Sequence, residues 1–128
     1  MQDGISLYDA VGGVSFFEAL VNRFYEGVAA DPVLLALYPD PDDLTQARHR
    51  LTLFLAQYWG GPSTYSDERG HPALRMRHAP FPIGPDARDR WLTCMRAAID
   101  SLDPSADVAR ALEEYFDVAA AALRNRDT

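Results

Sequence analysis

Three histidines, one cysteine, two tryptophans and six tyrosines are the side chains of this sequence with most scope for chemistry. His49 falls mid-helix between Arg48 and Arg50, opposite an apolar stripe, and reads as a solvated surface residue. His71 precedes Pro72 and reads as a loop hydrogen-bonder, with a place beside a ligand site as the alternative. His78 follows Leu74 by four residues, so the two share a helical face, and Pro80 fixes the helix end just beyond. A lone histidine on an apolar face is more often a satisfied core residue than a metal ligand, and residue type alone leaves both roles open. A two-histidine zinc helix is excluded, because Pro72 interrupts the stretch between His71 and His78. Cys94 lies on an inward face and reads as a small core residue; being single, it excludes disulfide frameworks and multi-cysteine metal clusters. No serine sits in a nucleophile elbow, and the carboxylates gather at helix starts and polar faces, where capping and solubility explain them. Gly12-Gly13 and Gly60-Gly61 are pairs at helix ends rather than phosphate loops, so no nicotinamide or flavin fold is present.

What remains is a set of polar-tipped aromatics on apolar stripes: Tyr25, Tyr38 and Trp91. Core packing accounts for any one of them, its O–H or N–H finding a carbonyl. Three together with His78, in a helical chain, point to a pocket whose donors face a bound ligand.

The elements that must position these residues are helices separated by Pro and Gly. Ser6 to Ala10 makes a short turn or helix before Gly12-Gly13. Ser15 and Glu18 form a capping box for a helix with Phe17, Leu20, Val21, Phe24, Tyr25 and Val28 inward. Asp31 caps a short helix with Pro32 at its first position, stopping near Tyr38. The next helix places Leu44, Ala47, Leu51, Phe54, Leu55 and Tyr58 on one face and ends at Gly60-Gly61-Pro62. Residues 62–72 show no period and are expected as an ordered loop. Pro72 opens a short helix through His78. Gly84-Pro85-Asp86 begins a helix with Ala87, Trp91, Cys94, Met95, Ala98 and Leu102 inward. Asp103-Pro104 begins the last, with Val108, Ala111, Leu112, Tyr115, Ala119 and Ala122 inward.

The 128 residues carry 19 acidic and 12 basic side chains, a net charge of −7. That length and pattern predict a single all-α domain over residues 1–128. The acidic balance argues against nucleic acid or an anionic membrane as the main partner. Every basic residue is Arg, which removes lysine chemistry and leaves a cation suited to holding carboxylates in a planar fork. Met1 to Gly4 carry an acid where a secretory signal would be basic, and no apolar run is long enough for a membrane span. A soluble, cytoplasmic chain with reduced Cys94 is the expectation.

The sequence resembles a truncated haemoglobin, specifically of group II (the O-type). The likeness runs from about Tyr8 to Leu123. It rests on Tyr8-Asp9-Ala10-Val11-Gly12-Gly13, Arg23-Phe24-Tyr25, Tyr38-Pro39, the stretch Phe54 to Pro62, the stretch Gly70 to Phe81, and Arg90-Trp91-Leu92, in the family's order. The resemblance implies a truncated-globin fold, a two-over-two helical sandwich around haem b, with His78 as the proximal ligand of its iron. It implies Tyr25, Tyr38 and Trp91 as distal donors, and Phe24 and Pro39 as neighbours of the cofactor. Ala47 falls where many globins keep a distal histidine, so that donor is missing. Leu51, Phe54 and Leu55 are implied on the distal wall, Met76 and Phe81 on the proximal side. Arg50 and Arg77, with His71, match propionate-binding positions.

From those donors the resemblance implies a haem protein that binds dioxygen and other diatomic ligands and releases them slowly. The alternative is an enzyme for nitric oxide dioxygenation or peroxide reduction, which would need an external electron donor. No carboxylate partner of the peroxidase type is marked for His78. A helical interaction module without haem is a third reading, and a homodimer stays open.

Overall fold

The computed structural model describes residues 5–127. Met1 to Gly4, on which the expectation of no secretory signal rests, lie outside the described residues. Eight helices are present among those described: α1 (Leu7–Ala10), α2 (Val14–Ala29), α3 (Pro32–Leu35), α4 (Thr45–Tyr58), α5 (Thr64–Arg69), α6 (Leu74–His78), α7 (Pro85–Leu102) and α8 (Ala106–Leu123). No strand occurs among these residues.

The apolar stripe of α2 is the centre of the molecule. Phe17, Leu20, Val21, Phe24 and Val28 are fully buried, in one core with Met95 and Ile99 of α7 and Leu112 of α8. Helix α2 packs chiefly on α7 and α4, and α7 packs on α8, so two helix pairs are joined through α2 and α7. This is the two-over-two arrangement. Each large apolar side chain removed from water here is worth about 1.5–3 kcal/mol. That gain offsets the ordering entropy of helices too short to persist alone.

Several local signals act as their chemistry dictates. Asp31 accepts from the amides of Val33 (3.0 Å) and Leu34 (3.2 Å), with Pro32 at the first position of α3. Gly84 caps α7 and Pro85 opens it. At the end of α4, Gly60 has φ 107°, and a Cβ there would fall 2.5 Å from that of Ser6. A Cβ on Gly61 would fall 2.6 Å from the Tyr8 ring and 2.7 Å from the Ala56 carbonyl. The glycine pair thus lets α1 dock on α4, where the Tyr8 amide donates to the Trp59 carbonyl at 3.0 Å.

Other expectations are corrected. Residues 62–72 are not a plain loop: α5 runs through Thr64–Arg69, with Tyr65 buried. Gln57 holds it in place, its amide donating to the Ser66 hydroxyl (2.8 Å) and its carbonyl accepting from the Ser66 amide (3.0 Å). The capping box at Ser15 and Glu18 does not form. The turn at Gly13, φ 92°, starts α2 at Val14 with no side-chain cap. Helix α6 begins at Leu74, not Pro72, after Ala73 takes a left-handed φ of 43°. Asp103 closes α7 at φ 48° instead of opening α8, whose cap is Ser105, accepting from the Val108 amide. On α7, Leu92 and Ile99 are buried beyond the expected stripe; on α8, Phe116 and Ala120 are buried while Ala122 is exposed. Tyr58, expected inward, is 52% exposed and packs its ring 4.3 Å from that of Tyr115.

Candidate functional site

A cavity of about 560 Å³ opens between the helices, lined by residues of α2, α3, α4, α5, α6, α7 and α8. Volumes of a few hundred to a thousand Å³ hold cofactor-sized ligands. Its walls are mostly apolar: Leu34, Leu37, Leu51, Phe54, Leu55, Phe81, Ile83, Phe116 and Leu123 among them.

His78, the last residue of α6, lines this cavity. Its Nδ1–H donates to the Leu74 carbonyl one turn back, at 2.7 Å. That bond makes Nδ1 the protonated nitrogen and leaves the lone pair on Nε2, the state in which imidazole binds a metal. No group of three or more His, Cys, Asp or Glu among the described residues could hold an ion. A single histidine on a large apolar cavity therefore suits a metal that brings its remaining ligands with it.

Tyr25 (α2), Tyr38 (after α3) and Trp91 (α7) line the cavity together. The Tyr25 and Tyr38 rings meet edge to face at 5.6 Å, and Phe24 packs 4.9 Å from both Tyr25 and Trp91. Burial pushes the Tyr25 phenol well above its ordinary value of 10, and the neighbouring Tyr38, as a charge and as a hydrogen-bond partner, adds to that. Burial also pushes Tyr38 up to about 12, against hydrogen bonds from Tyr25 and Trp91 that pull it down. Both phenols thus stay protonated at neutral pH and keep an O–H to donate. Arg48 stands over the Tyr25 ring, 5.7 Å from its centre, and donates to Asn22 at 3.0 Å.

Four arginines, Arg50, Arg69, Arg77 and Arg88, line the cavity, and no carboxylate does so among the described residues. In a chain of net charge −7 that is a local inversion of charge. Arg77 is committed to backbone: it donates to the carbonyls of Pro72 (2.7 Å), Arg69 (2.9 Å) and His71 (3.2 Å). Arg69 differs, since its buried Nε has no partner in the protein. An orphaned buried donor is costly unless a ligand satisfies it. A flat apolar cofactor with carboxylate arms and a metal centre matches this donor set: apolar walls, cationic edge, one imidazole nitrogen. The residues present fit haem.

Of the residues expected at the site, Tyr25, Tyr38, Pro39, Ala47, Arg50, Leu51, Phe54, Leu55, Arg77, His78, Phe81 and Trp91 all line the cavity. Three do not. Phe24 is buried behind Tyr25 and Trp91 in the core. Met76 is 71% exposed on the far face of α6, two positions from His78. His71 is exposed and accepts at Nδ1 from the Ala73 amide (3.1 Å), fixing the turn before α6. Sequence reasoning missed Tyr65 and Arg69 because it read their segment as a loop. Their i, i+4 spacing, with Asp67 early and Arg69 late, was the helix signal that could have found them. It also missed Arg88, Phe116 and Leu123.

Residues 6–125 match the family model described as bacterial-like globin. The group 2 truncated hemoglobin YjbI of Bacillus subtilis is 39% identical over 119 residues, 93% of this chain and 88% of that protein. A thermostable hemoglobin from the actinobacterium Thermobifida fusca superposes with a TM-score of 0.92 at 58% identity, covering 94% of this chain and 98% of that one. A truncated oxygen-avid haemoglobin from Bacillus subtilis superposes at 0.88 with 38% identity, covering 94% and 100%. No helix among the described residues is long and apolar enough to cross a membrane.

Proposed function

Because the chain belongs to the bacterial-like globin family and to its truncated haemoglobins, we propose that it holds haem b through His78 and retains dioxygen by hydrogen bonds from Tyr25, Tyr38 and Trp91. When bound, haem supplies an iron with an open coordination position for diatomic ligands. The chain supplies the rest. His78 presents Nε2 because Leu74 holds its other nitrogen. Arg50 and Arg69 offer cations to the propionates, Arg69 with a buried donor in need of a partner. Arg77, spent on three carbonyls, shapes the turn before α6 and gives that edge its charge.

The protonated phenols and the indole stand in a cavity with mostly apolar walls, where a ligand carrying partial negative charge gains most from them. Donors of that number favour slow release. The oxygen-avid character of the Bacillus subtilis protein supports the same direction. The observation carrying this reading is one cavity with a tautomer-fixed histidine, three polar-tipped aromatics and four arginines, and no carboxylate among its described lining residues.

Oxygen dissociation from the purified ferrous protein tests it. Release should be slow, and Tyr25→Phe should speed it by about tenfold or more, the loss of roughly one charge-stabilising hydrogen bond. Fast release in the parent, or none of this effect in the variant, contradicts the reading. Nitrate formation on adding nitric oxide and a reductase would instead favour turnover with an external electron donor.

A further inference from the structure

We propose that Asn125, beyond the end of α8, is a positioning residue for His78, an inference that rests on His78 being the iron ligand. The turn after α6 runs from His78 to Ile83 and includes Pro80 and Pro82, which have no N–H to contribute. Within the turn the Phe81 amide donates to the His78 carbonyl at 3.0 Å, and Asn125 adds bonds at both ends and the middle. Its side-chain amide donates to the carbonyls of His78 (3.2 Å) and Phe81 (2.9 Å). Its side-chain oxygen accepts from the Ile83 amide at 2.8 Å. Its backbone N–H, and that of Arg126, donate to the Ile83 carbonyl at 2.8 and 3.1 Å.

One asparagine thereby grips the turn at its first residue, its middle and its end. The grip matters because α6 has only five residues and no side-chain cap, so it cannot hold its own orientation. Within α6 the imidazole is tied to Leu74, but that bond fixes the ring to the helix, not the helix to the molecule. Phe81 and Ile83 line the cavity beside His78, as does Leu123 of α8, immediately before the tail. Asn125 couples this wall to α8, setting both where His78 stands and how firmly the wall closes. Only an amide side chain does both jobs, donating to two carbonyls while accepting from one amide.

Two variants of the haem-loaded full chain test this. Asn125→Ala removes all the side-chain bonds; Asn125→Asp keeps the acceptor for Ile83 and loses the donors to His78 and Phe81. The iron–histidine stretching band of the ferrous protein should shift or broaden in both. Haem transfer to an excess of a haem-scavenging apoglobin should quicken by about tenfold, since two to three hydrogen bonds are lost. Amide exchange of residues 79–83 should rise in the protein without haem. An unmoved stretching band and unchanged haem loss in a folded Asn125→Asp overturn the proposal. A parent chain that takes up no haem overturns the underlying reading instead, and the two failures are thus told apart.

Discussion

At the scale of single residues, the site is governed by where protons sit. The Leu74 carbonyl fixes one proton on His78, and burial fixes one each on Tyr25 and Tyr38. Tyr38 carries a consequence for stability. Its folded value of about 12 lies above the ordinary 10, so the folded state keeps a proton that the unfolded chain releases. The stabilisation is complete below pH 10 and is lost as pH rises towards 12, and Tyr115, also raised to about 12 by burial, acts in the same direction. Thermal midpoints measured across that window should fall, and Tyr38→Phe should fall less steeply than the parent. Equal slopes would show that Tyr38 is not buried as described. That Tyr25, Tyr38 and Trp91 would share a pocket with His78 was legible in residue type and helical spacing, while the ligand role of His78 came from the resemblance to truncated haemoglobins. Arg69 was not, because a guanidinium at the end of an irregular-looking segment looks solvated until its burial is known.

At the scale of elements, local signals succeeded where one residue satisfies a specific backbone group. Asp31-Pro32 is such a case, and Gly84-Pro85 succeeded for a different reason, a proline fixed for the first helical position. They failed where two signals competed. Gly13 at φ 92° overrode the Ser15 and Glu18 capping box, and Asp103 in a left-handed conformation left the cap of α8 to Ser105. Helix α5 was hidden because its stabilisation is tertiary: Tyr65 is buried and Gln57 of α4 grips Ser66 with both ends of its amide. Gln57→Ala should therefore lower the thermal midpoint, at a cost of about 1–3 kcal/mol for two lost bonds. Faster amide exchange should be confined to residues 63–69, and loss of protection throughout α4 would show that the clamp is not local. Gly61 gives a second check. Gly61→Ala would drive a methyl into the Tyr8 ring and the Ala56 carbonyl, so destabilisation by about 1–3 kcal/mol is expected. A neutral result would mean that α1 is not docked on α4 in solution.

At the scale of the whole molecule, a chain with a net charge of −7 surrounds a cavity lined by four arginines, one histidine and no described carboxylate. The all-arginine basic set, a compositional oddity in the sequence, is partly a property of that cavity. Two helix pairs wall it, and the short α3 and α6 place Tyr38 and His78 beside it. The absorption spectrum of the purified chain with one equivalent of haem, parent against His78→Ala, addresses the central claim most directly. The parent should show stoichiometric uptake with an intense Soret band and the ferrous spectrum of a histidine ligand. His78→Ala should lose that spectrum, and added imidazole should restore it. No uptake by the parent, or a ferrous spectrum untouched by His78→Ala, would contradict the account.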